Sequence, residues 1–388
     1  MKGIANQRNP GDSRPQRHGG RLWVMLLLAG SVFGVLLPAG CKRNSSNSAE
    51  TNTVRVGYIG LTCEAPIFSA YENGFFKEEG LEIELVKCDW STYKDVFALG
   101  RFDITHHLVM YFLKPIEQGL DVKFTGGIHR GCLRVQAPIN GKIRTIEDLR
   151  GKTIGVPGMG TPPFIFATRV MGTHGIDASK DVSWKVFPAG ELGLALDKGE
   201  VDAVANAEPI GSLLMATGKV RNVADQAKDP PYSEEYCCEV IVNGKFLANN
   251  PKAAAAATRA LLKGAKWVQA NPLAAAKLSV ERHYLASSVD LNTIALSRLN
   301  YVPSISKAEA GVYSAAVEMK KAGMLSPTTD PAELAKRAFA HLDGVTDDWI
   351  EHLQVQKVAG GQAPPDMDIK KYAKLILEDT KHSCCIRN

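Results

Sequence analysis

Residues 69–86 read SAYENGFFKEEGLEIELV, and their pattern decides the fold. A helix expected over 67–73 is stopped at Gly74, the residue type that most easily ends a helix in a left-handed turn. From Leu81 the period changes to two. Leu81, Ile83 and Leu85 alternate with Glu82 and Glu84, which predicts a strand over 81–86 with one buried face. Upstream, 54–59 (VRVGYI) reads as a first strand, and 60–66 (GLTCEAP) as the turn that enters the helix. Strand, helix and strand in succession form the unit of an α/β fold with a mostly parallel sheet.

The alternation continues outward. A helix over 93–99, a strand over 102–105, a helix over 108–118 and a strand over 122–126 lead to an extended crossing segment, 133–142. The pattern then restarts: strand 153–156, loop 157–163, helix 164 to about 174, strand 182–187, helix 192–198, strand 203–207 and helix 210–217. A second crossing at 239–242 precedes helices over 252–271, 272–281 and 307–322. Two α/β units joined by two crossings predict a hinged, two-lobed protein. Its ligand cleft would lie between the lobes, where strand ends and helix N-termini face inward.

The chain has 388 residues, 45% apolar and 22% charged, which excludes disordered and collagen-like classes. The formal charge of +5 sits mostly in residues 1–40, where Lys2, Arg8, Arg14, Arg17 and Arg21 face a single acid, Asp12. The nearly neutral remainder gives no basic face for nucleic acid. Arg21 precedes an apolar run, 22–37, and then Pro38-Ala39-Gly40-Cys41, the order of a secretory signal. Ala39-Gly40-Cys41 resembles the end of a bacterial lipobox, with Pro38 where that pattern has an aliphatic residue. Cys41 is the expected lipidation site, and 42–52 (KRNSSNSAETN) has the composition of a tether. Export permits disulfides for the remaining seven cysteines, Cys63, Cys88, Cys132, Cys237, Cys238, Cys384 and Cys385, but an odd count leaves one thiol over.

Five stretches in order resemble one family. They are 69–86, 98–104 (ALGRFDI), 146–158 (IEDLRGKTIGVPG), 194–209 (LALDKGEVDAVANAEP), and 240–251 followed by 267–278 (WVQANPLAAAKL). Together they resemble periplasmic substrate-binding proteins of ABC importers, in the branch of nitrate, sulfonate, taurine and thiamine-pyrimidine binders. The resemblance implies a two-lobed periplasmic binding protein type II fold, with mixed, mostly parallel sheets and flanking helices. The leader residues give 1–40 as signal and 41–52 as tether, and the two-lobed plan gives 53–135 with 243–388 as one lobe and 136–242 as the other. The resemblance further implies a lipid-anchored monomer at the periplasm or cell surface that passes a small-molecule solute to an ABC transporter permease, without cofactor or catalysis.

Carried over by position, the ligand-binding residues are Thr62, Cys63 and Glu64 after the first strand, His106 and His107 after the third, and Gly160 and Thr161 at a helix start. Glu208 at a strand end, and Arg130, Cys132 and Cys237 at the crossings, complete the set. In GMGTPP (158–163), Thr161 suits an N-cap, but Pro162 and Pro163 remove two of the N–H donors an oxyanion would use. One of the adjacent His106 and His107 should face the cleft. Trp90, Tyr111, Phe112 and Phe164 are candidate stacking partners for a planar ligand. No metal is expected in the leading reading. An alternative lines the cleft with Cys63, His106, His107, Cys132 and Cys237 for a soft metal, a metal chelate or a thiol solute. A further alternative is the fungal pyrimidine-synthesis branch of the same superfamily, whose cysteine-rich run Cys237-Cys238 partly resembles. No P-loop, H-E-x-x-H motif or ordered Ser/His/Asp set supports a hydrolase or an NTPase.

Overall fold

A computed structural model describes residues 52–89 and 92–364. The signal segment, Cys41, nearly all of the tether, Trp90 and Cys384-Cys385 lie outside the described residues. Among those described there are ten strands: β1 (Thr53–Tyr58), β2 (Glu82–Lys87), β3 (Ile104–Leu108), β4 (Val122–His129), β5 (Leu133–Pro138), β6 (Thr153–Val156), β7 (Ser183–Val186), β8 (Ala203–Ala207), β9 (Val220–Asp225) and β10 (Cys238–Asn243). They form two five-stranded sheets, ordered β2-β1-β3-β10-β4 and β7-β6-β8-β5-β9.

In each sheet one strand runs against both its neighbours: β10 lies antiparallel to β3 and β4, and β5 antiparallel to β8 and β9. These are the two strands that have just crossed from the other sheet. A chain leaving β4 at its C-terminal end enters the second sheet from the same side, so β5 has to run in reverse. The connections between sheets are 130–132 and 226–237. The segments expected as crossings, 133–142 and 239–242, are therefore corrected: the first holds β5 of the second sheet, and the second lies within β10 of the first sheet.

Helices cover both sheets. The longest, Pro251–Ala270, buries Ala257, Leu261, Ala265 and Val268. It approaches the helix Ala65–Glu72 closely at Gly264, where a Cβ would stand 2.4 Å from the Pro66 carbonyl oxygen. At the crossings, the buried Arg169 of helix Pro162–Thr173 donates to both oxygens of Glu235 at 2.6 and 2.7 Å, and Ser314 of helix Ser306–Lys321 donates to the same carboxylate. One ion pair thus ties the second lobe, a crossing and the first lobe together. No helix among the described residues is long and apolar enough to cross a membrane.

Several elements escaped the sequence reading, among them the short helices Phe75–Glu78 and Gly244–Asn249 and two longer elements. Strand β9 is an edge strand with polar Arg221 and Asn222, so no alternation announced it. Helix Val289–Arg298 carries Leu291, Ile294 and Ala295 at helical spacing, with Ser288 Oγ accepting from the Leu291 N–H at 3.2 Å. Its signal was present in the sequence. Strand β3 lies two residues later than expected, and β4 runs on to His129. Both shifts move histidines from loops into the first sheet.

Candidate functional site

A cavity of about 380 Å³ lies between the two sheets. From the first lobe it is walled by the turn at 60–64, the end of β3, Cys237, Cys238 and residues 285–287. The second lobe contributes Pro157, the helix start Thr161–Pro163, Leu192 and residues 206–210, with Cys132 and Leu133 at the crossing. Its size suits a small organic molecule. The turn at 60–64 is tightly built. Gly60 has φ +106°, and a Cβ there would stand 2.8 Å from the Tyr284 carbonyl oxygen. Glu64 closes this turn, its carboxylate accepting N–H bonds from Ile59 at 3.0 Å and from Gly60 and Leu61 at 2.7 Å each. Burial pushes its carboxyl up to about 7, against the pull of those bonds. Glu64 borders the cavity, yet its acceptor capacity is spent on its own backbone. Thr62 likewise donates to Asn292 Oδ1.

Strand alternation separates the two histidines. His107 packs its ring against Tyr93 and Tyr111, 4.9 and 4.7 Å away, and its Nδ1 accepts from the Leu108 N–H at 2.8 Å. Burial lowers it to about 3. His106 points the other way, toward the His129 ring at 6.1 Å. Neither ring nitrogen of His106 or of His129 finds a hydrogen-bond partner of good geometry, and both rings are buried. Burial holds both below the ordinary imidazole range, so both are neutral near pH 7. One donor atom from each of Cys63, His106, His129 and Cys238 lies within 4.8 Å of the others. Cys132 and Cys237 sit beside them, one on each crossing, with their thiols hydrogen-bonded.

The second lobe's wall is different. Glu208 pairs with Arg134 and accepts from Ser212 Oγ at 2.7 Å, and Arg134 also reaches Asp225 at 3.3 Å. Arg298 of the first lobe donates to Ser212 Oγ at 2.9 Å, so this network spans the cleft. Glu208, expected as a ligand-binding residue, borders the cavity with these partners already in place.

Arg130 does not border the cavity; its guanidinium lies over the Tyr236 ring at 5.2 Å. Gly160 occupies the preceding turn with φ +73° and stays off the wall. Thr161 does line the cavity at the N-cap position, but its hydroxyl donates to the Gly158 carbonyl at 2.6 Å instead of accepting from the helix. The suggested stacking residues are also corrected. Tyr111 and Phe112 belong to the core and Phe164 packs on Trp184, 4.7 Å away, because their helices turn those faces from the cleft. Among the described residues, no Lys or Arg lines the cavity. The reading missed His129 and Cys238 as a pair. Only the register of β10 between β3 and β4 brings them together, although the vicinal cysteines were a visible signal.

Two sheets joined by two crossings around an interlobe cavity define the two-lobed periplasmic binding protein fold. Residues 62–275, more than half of the chain, match the family described as NMT1/THI5 like, and the protein belongs to that family. It is 25% identical over 253 residues to the nitrate/nitrite binding protein NrtA of Synechocystis, covering 57% of this chain and 54% of that one. It is also 25% identical over 236 residues to the 4-amino-5-hydroxymethyl-2-methylpyrimidine phosphate synthase of Aspergillus parasiticus, covering 54% and 64%. The chain thus spans less than two thirds of both relatives. The periplasmic aliphatic sulphonate binding protein SsuA of Escherichia coli shares its fold, with a TM-score of 0.59 over 74% of this chain and 97% of that one at 14% identity.

Proposed function

We propose that the protein is a non-catalytic, extracytoplasmic solute-binding lipoprotein that captures a small molecule between its lobes and hands it to an ABC transporter permease. The observation that carries this reading is the interlobe cavity, walled by both sheets and crossed by the Arg298–Ser212 contact. Solute bound there would draw the lobes together about the crossings, the usual motion of two-lobed binders. Membership of a family with nitrate- and sulfonate-binding relatives supports the class. The wall itself favours a different solute, because among the described residues no Lys or Arg lines it and Pro162 and Pro163 deplete the helix start of donors. Anchoring would be through Cys41 after removal of residues 1–40.

The test is native mass spectrometry of the gently purified full chain, followed by thermal shift against a solute library. A bound organic mass, or a solute that raises Tm in the wild type but not in Ala207→Phe, which fills the cavity, is the expected result. No bound mass and no stabilisation by any solute would overturn it. Lipid labelling that persists in Cys41→Ser would remove the anchor.

A further inference from the structure

We propose that the first lobe holds a thiophilic divalent cation, Zn(II) by its chemistry, between Cys63, His106, His129 and Cys238 at the floor of the cavity. This deepens the reading above and rests on it only in taking the cavity as the ligand site. Four observations converge.

The first is geometry. Tetrahedral Zn(II) with two Cys and two His ligands separates its donor atoms by about 3.3–3.8 Å, given Zn–S near 2.3 Å and Zn–N near 2.0 Å. The four donors here already lie within 4.8 Å of one another, so an approach of about 1 Å completes the site. The second is chemistry: two sulfurs and two imidazole nitrogens in that arrangement select zinc among the common cations.

The third is the unsatisfied state of the donors. No buried ring nitrogen of His106 or His129 makes a hydrogen bond of good geometry; only poorly aligned backbone contacts are present, with Cys63 for His106 and with Arg130 and Gly131 for His129. Orphaned polar atoms are expensive, and a cation would satisfy one on each ring. The fourth is charge. Binding releases the two thiol protons to solvent, and two thiolates with two neutral imidazoles around Zn(II) form a complex of zero net charge. That is the state a buried site tolerates best.

The donors come from a turn, β3, β4 and β10, all packed in one sheet or against it. The site is therefore preformed within one lobe and does not wait for closure. Tyr301 backs it, its ring 5.3 Å from that of His129 and its hydroxyl on the Cys63 carbonyl at 3.3 Å. Cys63, His106 and Cys238 border the cavity and His129 stands behind them. A cation held there would form part of the surface presented to a solute.

The experiment uses the full chain purified with reductant and without chelator. About one zinc per chain should survive dialysis, and Co(II) should replace it with tetrahedral d–d bands and a thiolate charge-transfer band. Chelator competition should show His129→Ala and Cys238→Ser weakened by about 100-fold or more, beyond what changes around a metal's ligands produce, and Cys88→Ser unchanged. Cobalt spectra without the thiolate band, wild-type affinity in both variants, or a Cys63–Cys238 disulfide in protein isolated from its own compartment would overturn the proposal. The cobalt spectrum tests the wild type, so it decides even if a variant misfolds. Because His129 does not line the cavity, organic-solute binding is read separately on His129→Ala. Solute bound with zinc lost supports both readings, and zinc bound with no organic solute supports the metal site while overturning the capture of an organic molecule.

Discussion

The two walls of the cavity meet the same problem, polar side chains buried beside apolar ones, in opposite ways. On the second lobe Arg134, Glu208, Asp225 and Ser212 satisfy one another, and Arg298 joins them from across the cleft. On the first lobe His106 and His129 are left without hydrogen bonds of good geometry. The first arrangement is a closed network that rigidifies a wall. The second is a set of donors held ready for something else. The second lobe pairs its charged groups and leaves Asn206 Oδ1 as the unpartnered buried atom of its wall, whereas the first lobe gathers two neutral imidazoles with poorly aligned partners beside thiols, which marks that wall as the place for a ligand atom.

The comparison can be broken most forcefully on the satisfied side. Arg134→Met leaves two buried carboxylates uncompensated, and urea denaturation should show a loss of about 3–5 kcal/mol. Adding Glu208→Gln and Asp225→Asn should recover much of it; a small effect of Arg134→Met alone would mean that water already solvates this wall.

Asp347 sharpens the contrast within the first lobe, away from the cavity. Its carboxylate accepts from Ser304 Oγ at 2.8 Å and from the N–H groups of Ile305 and Ser306 at 2.7 and 3.0 Å. Burial alone would raise its carboxyl, but these bonds prevail and hold it at about 2. With the folded carboxyl depressed, the unfolded chain takes up the proton first as pH falls. The contribution, about 2 kcal/mol, is present above pH 4 and lost between about pH 4 and 2. Asp347→Asn should remove that part of the acid sensitivity, read by denaturation across this range; an unchanged profile would show the bonds to be weak.

The smallest effect is expected at the unsatisfied wall. With chelator present, His129→Leu should change stability by no more than about 1 kcal/mol, and in either direction, since it removes two unpaired nitrogens along with some packing. A loss of several kcal/mol without metal would show that His129 is structural.

Much of this was legible in the chain. The alternation from 54 to 217 fixed element types because each depends on near neighbours: Gly74 ends a helix whatever surrounds it, and Leu81, Ile83 and Leu85 share a face in any strand. Of the expected site residues, Thr62, Cys63, Glu64, His106, His107, Cys132, Thr161, Glu208 and Cys237 border the cavity, and Arg130 and Gly160 do not. What the sequence did not show at Glu64, Arg130 and Glu208 is the set of partners each already has. Their partners are a nearby turn backbone, the Tyr236 ring and Arg134, and a sequence pattern cannot count which hydrogen-bonding capacity is already used.

What the sequence by itself determined was the two-lobed α/β plan with two crossings, though not where they lie, and the pair Cys237-Cys238 close to the second one. Tertiary structure alone decided that His106 and not His107 faces the cysteines, and that His129 and Cys238 complete the group. The reason is register: β10, arriving from the other lobe, inserts between β3 and β4. Its pairing brings His106, His129 and Cys238 from three distant stretches of chain together in one sheet, beside the turn that carries Cys63, and no local periodicity encodes that placement.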